Sequence, residues 1–135
     1  MKDRMRRYAL PISAIVFAPL GWSTGAAMGA NGIASSAAAT GRAVYTNCSA
    51  CHGAVGQGSL GPALKGNPRI ADADYVIGLI LSGIGPMPPF RAQLSDSEIA
   101  DVATFIRTNW GNRYVEVNKS QVARVRAGAR GAPAM

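Results

Sequence analysis

The sequence predicts a small all-α domain: three or four short helices wrapped around a bound group that completes a core too thin to close by itself. Three observations predict it. Apolar residues recur at helical spacing in two capped stretches, with an alanine-rich stretch before them. A glycine- and proline-rich run, Gly53 to Ala71, separates these stretches and has no periodicity of its own. Finally, Cys48-Ser49-Ala50-Cys51-His52 forms a C-x-x-C-H, matched downstream by a methionine between prolines, Pro86-Met87-Pro88-Pro89.

The chain has 135 residues, enough for one domain. Residues 1–30 read as a secretory signal. Lys2, Arg4, Arg6 and Arg7 make a basic start, Tyr8 to Leu20 an apolar run, and Gly25 to Ala30 a small-residue cleavage region. The apolar run falls short of the ~20 residues of a membrane span, which favours a cleaved leader over an uncleaved anchor. Residues 31–36 read as an Asn/Gly/Ser connector, residues 37–112 as the folded domain and residues 113–135 as a C-terminal tail.

The first helix is expected to be capped by Ser35 or Ser36 and to run to about Asn47. Gly41 and Tyr45 share one face four residues apart. Glycine is costly there, so it marks a close approach of another element. A second helix fits Asp72 to about Ser82, with Asp72 as cap and Val76, Leu79, Ile80 and Gly83 as its stripe. Gly83, Gly85 and the following prolines end it. The third is the best specified. Ser95 and Glu98 form a capping box, and Ile99, Val102, Ala103, Ile106 and Trp110 make one stripe, with Gly111 as the stop. Beyond it, Tyr114 to Val117 reads as a short strand, Ser120 to Arg126 as a weakly helical patch, and Ala127 to Met135 as a frayed end. Tyr75, Phe105 and Trp110 are assigned to the core.

Charge excludes some functions. Fourteen Lys and Arg stand against seven Asp and Glu, a net charge of +7. Without residues 1–30, ten positives face six negatives, a net of +4. No basic stripe is interleaved with aromatics, so nucleic acid is not the expected partner. Membrane contact is expected only through an uncleaved leader or a membrane-bound partner.

A two-residue gap makes a strained, reducible disulfide, and the histidine directly after the second cysteine turns the reading to covalent haem. Each sulfur adds to a vinyl group, the gap matches the separation of the vinyls, and His52 is delivered to the iron. A structural zinc site needs four N or S ligands, and His52 is the single histidine of the chain. A thioredoxin-like fold would show βαβ patterning, and none is present. For the second axial ligand Met87 stands nearly alone: Met1, Met5 and Met28 leave with the leader, and Met135 ends the chain. Its prolines restrict the backbone on either side. The metal ligands are therefore His52 and Met87, and one haem c is attached through Cys48 and Cys51. Lys65, Arg69 and Arg91 are candidates to pair with its propionates.

From Thr40 to Gly111 the chain resembles a class I c-type cytochrome. Gly41-Arg42-Ala43-Val44-Tyr45 is similar to that family's first helix, whose glycine and aromatic meet the last helix, here through Phe105 or Trp110. Gly61-Pro62-Ala63-Leu64 resembles the segment whose proline carbonyl accepts the proximal imidazole N–H, which gives Pro62 that role. Gly85-Pro86-Met87-Pro88 resembles the distal ligand loop. The stretch from Leu94 to Asn112 resembles the haem domains of cytochrome c subunits of periplasmic membrane-bound dehydrogenases, such as those acting on alcohols and gluconate. The resemblance implies the small cytochrome c fold and a periplasmic, non-enzymatic carrier of single electrons. The donor would be a dehydrogenase or quinol oxidase and the acceptor a terminal oxidase or other redox protein. Two other readings stay open: an obligate electron-transfer subunit of a dehydrogenase complex, and an open-site haem enzyme or sensor.

Overall fold

In a computed structural model, which describes residues 30–128, four helices and one 3₁₀ turn enclose a single apolar core. The leader assigned to residues 1–30 falls almost wholly outside the described residues, as do 129–135. Helix α1 spans Ala30–His52, α2 Ala73–Ser82, α3 Asp96–Thr108 and α4 Lys119–Gly128, with the 3₁₀ turn at Pro68–Ala71. Among the described residues there is no strand, and no helix is long and apolar enough to cross a membrane.

Helix α1 exceeds its expected bounds at both ends. The connector assigned to residues 31–36 is helical, because the alanine-rich run beyond it propagates helix and no proline interrupts it. At the other end the helix continues past Asn47 to His52. Gly53 then stops it, its N–H returning to the Ser49 carbonyl at 2.8 Å. The extension places Cys48, Cys51 and His52 at i, i+3 and i+4, on one helical face.

Helices α2 and α3 follow their caps. The Asp72 side chain accepts from Tyr75 N at 3.0 Å. Ser95 and Glu98 complete the reciprocal box, with Ser95 N donating to Glu98 Oε2 at 2.9 Å. Those hydrogen bonds hold the Glu98 carboxyl below its ordinary pKa. The core is built from Val76, Ile77, Ile80 and Leu81 of α2 against Ile99, Val102, Ala103 and Ile106 of α3.

Helix α1 crosses α3 at Gly41. A Cβ there would lie 2.9 Å from Phe105 Cβ and would also strike the Asp101 carbonyl, so glycine lets the two backbones meet. Beside it Tyr45 packs on both candidate aromatics, with ring centroids 5.4 Å from Phe105 and 4.9 Å from Trp110. Trp110 is not the last member of the α3 stripe. The helix ends at Thr108, and Trp110 takes a left-handed conformation (φ 56°) that returns its ring to the seam.

The segment assigned to a tail belongs to the fold. Residues 114–117 form no strand. They run as extended chain along α3, where Val117 N donates to Thr104 Oγ1 at 2.9 Å and Tyr114 N to the Arg107 carbonyl at 3.1 Å. Among the described residues no second strand is there for them to pair with. Helix α4 then packs on α2 and α3 with Val122 fully buried, and it extends to Gly128, past the expected start of fraying at Ala127.

Candidate functional site

A cavity of about 590 Å³ opens beside the end of α1, within the roughly 300–1,000 Å³ typical of small-molecule and cofactor sites. Cys48, Cys51, His52, Pro62 and Met87 all line it. Three separate parts of the chain converge there: the last turns of α1, the loop after it, and the loop between α2 and α3.

The loop after α1 folds back by backbone bonds that centre on the helix end. Gly61 N donates to the Cys51 carbonyl at 2.9 Å and Gly58 N to the His52 carbonyl at 2.8 Å. This return brings the Pro62 carbonyl to 2.8 Å from His52 Nδ1. A proton on Nδ1 donates to that carbonyl and leaves Nε2 as the lone-pair nitrogen. Gly61 makes room for the ring, since a Cβ there would sit 2.9 Å from His52 Cε1. The imidazole is buried, with 9% exposure.

Met87 is carried by a tight loop. Ile84 and Met87 exchange both backbone hydrogen bonds, N to O at 3.1 and 3.0 Å. Gly83 starts the loop at φ 68°, a conformation that costs other residues, and a Cβ there would meet Pro88 C at 2.9 Å. Phe90 N donates to the Ile80 carbonyl at 2.9 Å and closes the loop onto α2. The thioether is half-buried against the core cluster.

The two cysteines are not joined in a disulfide; Cys48 is half-buried and Cys51 exposed. Burial pushes the Cys48 thiol up to about 11, with the neighbouring charge of Cys51 as the smaller cause. Among the described residues no group of three or more His, Cys, Asp and Glu side chains could hold a metal ion.

Other sequence expectations divide. Arg69 lines the cavity, whereas Lys65 and Arg91 do not, and Arg91 Nη2 donates instead to the Arg126 carbonyl at 3.1 Å. Tyr75 is not a core residue. It is exposed, lines the cavity, and accepts from Arg69 Nη1 at 3.4 Å. It sits on the first turn of α2, outside the Val76/Ile80 stripe that faces the core.

Two residues that support the site carried no clear signal in the sequence. Asn112 is buried, gives Nδ2 to the carbonyls of Leu64 (3.1 Å) and Ile106 (2.9 Å), and accepts from Gly66 N at 3.0 Å. It thereby pins the Pro62 loop to α3. Arg107 is buried, and its guanidinium holds the 3₁₀ turn. It donates to the carbonyls of Ile70, Ala71 (2.9 Å) and Val115 (3.1 Å), with the Tyr114 ring 5.5 Å away. Burial lowers its pKa, partly offset by Asp72 and Tyr114.

The donors fit a covalently held haem c: two thiols and an imidazole on one helical face, a single fixed tautomer, a thioether on a restrained loop, and an apolar cavity among them. Known proteins agree. A family model described as cytochrome c oxidase, cbb3-type, subunit III matches residues 36–106. The chain is 37% identical over 76 residues to cytochrome c6 of Leptolyngbya boryana, covering 52% of this chain and 88% of that protein. It is 34% identical over 70 residues to a cytochrome c-553-like protein of Synechocystis, covering 50% of this chain and 65% of that one. A third relative, the cytochrome c subunit of a quinone alcohol dehydrogenase from Gluconobacter oxydans, is 37% identical over 81 residues. That match covers 49% of this chain and only 17% of the relative.

Proposed function

This chain belongs to the cytochrome c family, whose cofactor is haem c, and on that premise we propose that it is an exported carrier of single electrons with His52 and Met87 as axial ligands. The observation that carries the reading is the donor set on one cavity, with His52 Nδ1 committed to the Pro62 carbonyl and Met87 on a loop closed at both ends. The haem supplies a one-electron iron couple, and a histidine–methionine pair raises its potential. Cys48 and Cys51 tether the group, Pro62 fixes the tautomer and basicity of His52, and Arg69 is placed to pair with a propionate. With both axial positions taken by protein, none remains for oxygen, peroxide or an organic substrate, so the chain needs no catalytic residues.

Partners meet the cavity rim, where Leu60 (86% exposed) and Ile84 (59% exposed) present apolar surface. A small rim suits brief redox encounters. The donor is a dehydrogenase or quinol oxidase and the acceptor another redox protein, both outside the cytoplasm. A second reading, the bound electron-transfer subunit of a dehydrogenase, is favoured by the alcohol dehydrogenase relative. Co-purification with such an enzyme from native membranes would select it.

The carrier reading is tested on holoprotein expressed with haem-attachment machinery. The expected result is an intact mass of the chain plus one haem, a six-coordinate spectrum, and only slow carbon monoxide binding by the reduced protein at neutral pH. A colourless product overturns the haem assignment, and ready carbon monoxide binding overturns the closed site.

A further inference from the structure

Helix α4 lies beyond the residues matched by the family model, yet it anchors the exit of the loop that carries Met87. At the exit, Arg126 Nη1 donates to the Arg91 carbonyl at 2.6 Å, Nη2 to the Leu94 carbonyl at 3.0 Å, and Nε to Asp96 Oδ1 at 2.6 Å. Arg91 answers with its own guanidinium on the Arg126 carbonyl at 3.1 Å. The helix itself is held to the fold elsewhere: Gln121 Nε2 donates to Asp74 Oδ1 on the first turn of α2 at 2.7 Å, and Val122 is fully buried in the core. Residues 91–94 follow within a few positions of Met87, and Phe90 is bonded to α2 on one side and to Gln93 and Leu94 on the other. The guanidinium reaches two carbonyls and a carboxylate from three separate nitrogens, a spread that the single nitrogen of an ammonium does not reproduce.

We propose that α4 is a strap for the distal loop and that Arg126 is the positioning residue that keeps Met87 on the iron. The proposal rests on the reading of Met87 as axial ligand. Without the strap, the segment from Phe90 to Leu94 loses its outer anchor, and the loop opens more often while the core stays packed.

The test uses holoprotein carrying Arg126→Met, which keeps the apolar stem, and Arg126→Lys, which keeps the charge beside Asp96 but not the fork. Met87→Ala is the control. Two readouts are followed: the thioether-to-iron charge-transfer band of the oxidised protein and the rate of carbon monoxide binding to the reduced protein. Arg126→Met is expected to weaken the band and raise the carbon monoxide rate about tenfold, equivalent to about 1.4 kcal/mol in the loop-opening equilibrium. Arg126→Lys falls between it and the parent, and carries the test if Arg126→Met does not fold. A folded Arg126 variant with parental band and rate, beside a Met87→Ala protein that binds carbon monoxide readily, overturns the strap and leaves the ligand reading standing. A Met87→Ala protein that keeps the parental band and rate removes both.

Discussion

The buried face of α1 is closed differently along its length. Its first part, with Gly41 and Tyr45, is closed by protein alone: backbone meets backbone at Gly41, and Tyr45, Phe105 and Trp110 pack ring on ring at 4.9–5.4 Å. The Tyr45 hydroxyl even finds the Gly53 carbonyl at 2.7 Å. Its last turns, with Cys48, Cys51 and His52, border a cavity of about 590 Å³. The seam sets how the helices cross, while the last turns carry the residues that would tether the haem.

The largest expected effect separates the two parts of α1 by removing the haem. A chain with both Cys48→Ala and Cys51→Ala, made without haem, should keep helical far-UV signal but melt without a sharp transition, as a molten globule does. A cooperative calorimetric peak with native helix content would show that the seam suffices for the fold.

Breaking the seam instead gives the converse. Gly41→Val forces α1 away from the Asp101 carbonyl and Phe105, at about 3 kcal/mol. The holoprotein Tm should fall by many degrees while the ligand spectrum stays near that of the parent. An unchanged melt would mean that the crossing tolerates a side chain.

Asn112 sharpens the comparison on the cavity side, because it ties α3, through the Ile106 carbonyl, to Leu64 and Gly66 of the loop that carries Pro62. Asn112→Ala should cost about 2 kcal/mol through the unpaired groups it leaves. It should also lower the reduction potential measurably by loosening the Pro62 loop over His52. Loss of stability with an unmoved potential would confine its role to packing.

The smallest effect belongs to Tyr45→Phe, about 1 kcal/mol at neutral pH. Burial raises the Tyr45 pKa from 10.0 to about 12, the Cys48 charge being the second cause. An unfolded chain therefore loses that proton first on going alkaline. The contribution is intact below pH 10 and is lost as pH rises from 10 through about 12. Denaturant melts across that window should fall more steeply for the parent than for Tyr45→Phe, and parallel curves would contradict the assignment.

Much of this was legible locally. The capping box at Ser95 and Glu98, the Asp72 cap and the glycine at position 41 each depend on residues within a turn, so spacing alone located them. The expected end of α1 at Asn47 failed because C-x-x-C-H reads as a motif rather than as helix, although Cys48, Cys51 and His52 have the spacing of one helical face. The strand expected at 114–117 failed because an extended chain becomes a strand only where a neighbour pairs with it. Tyr75 was placed in the core by composition, yet its position on α2 turns it toward the cavity.

From the sequence alone came the chemistry: which atoms can bind iron, which can tether a macrocycle, and that only one histidine is available. Those properties reside in side chains and their immediate spacing. Tertiary structure alone decided what holds those atoms in place. Asn112 reaches Leu64 across 48 positions, Arg107 reaches Ala71 across 36, and Arg126 reaches Arg91 across 35. A polar side chain buried against distant carbonyls leaves no periodic trace, because its partners are chosen by how the helices pack and not by where they fall along the chain.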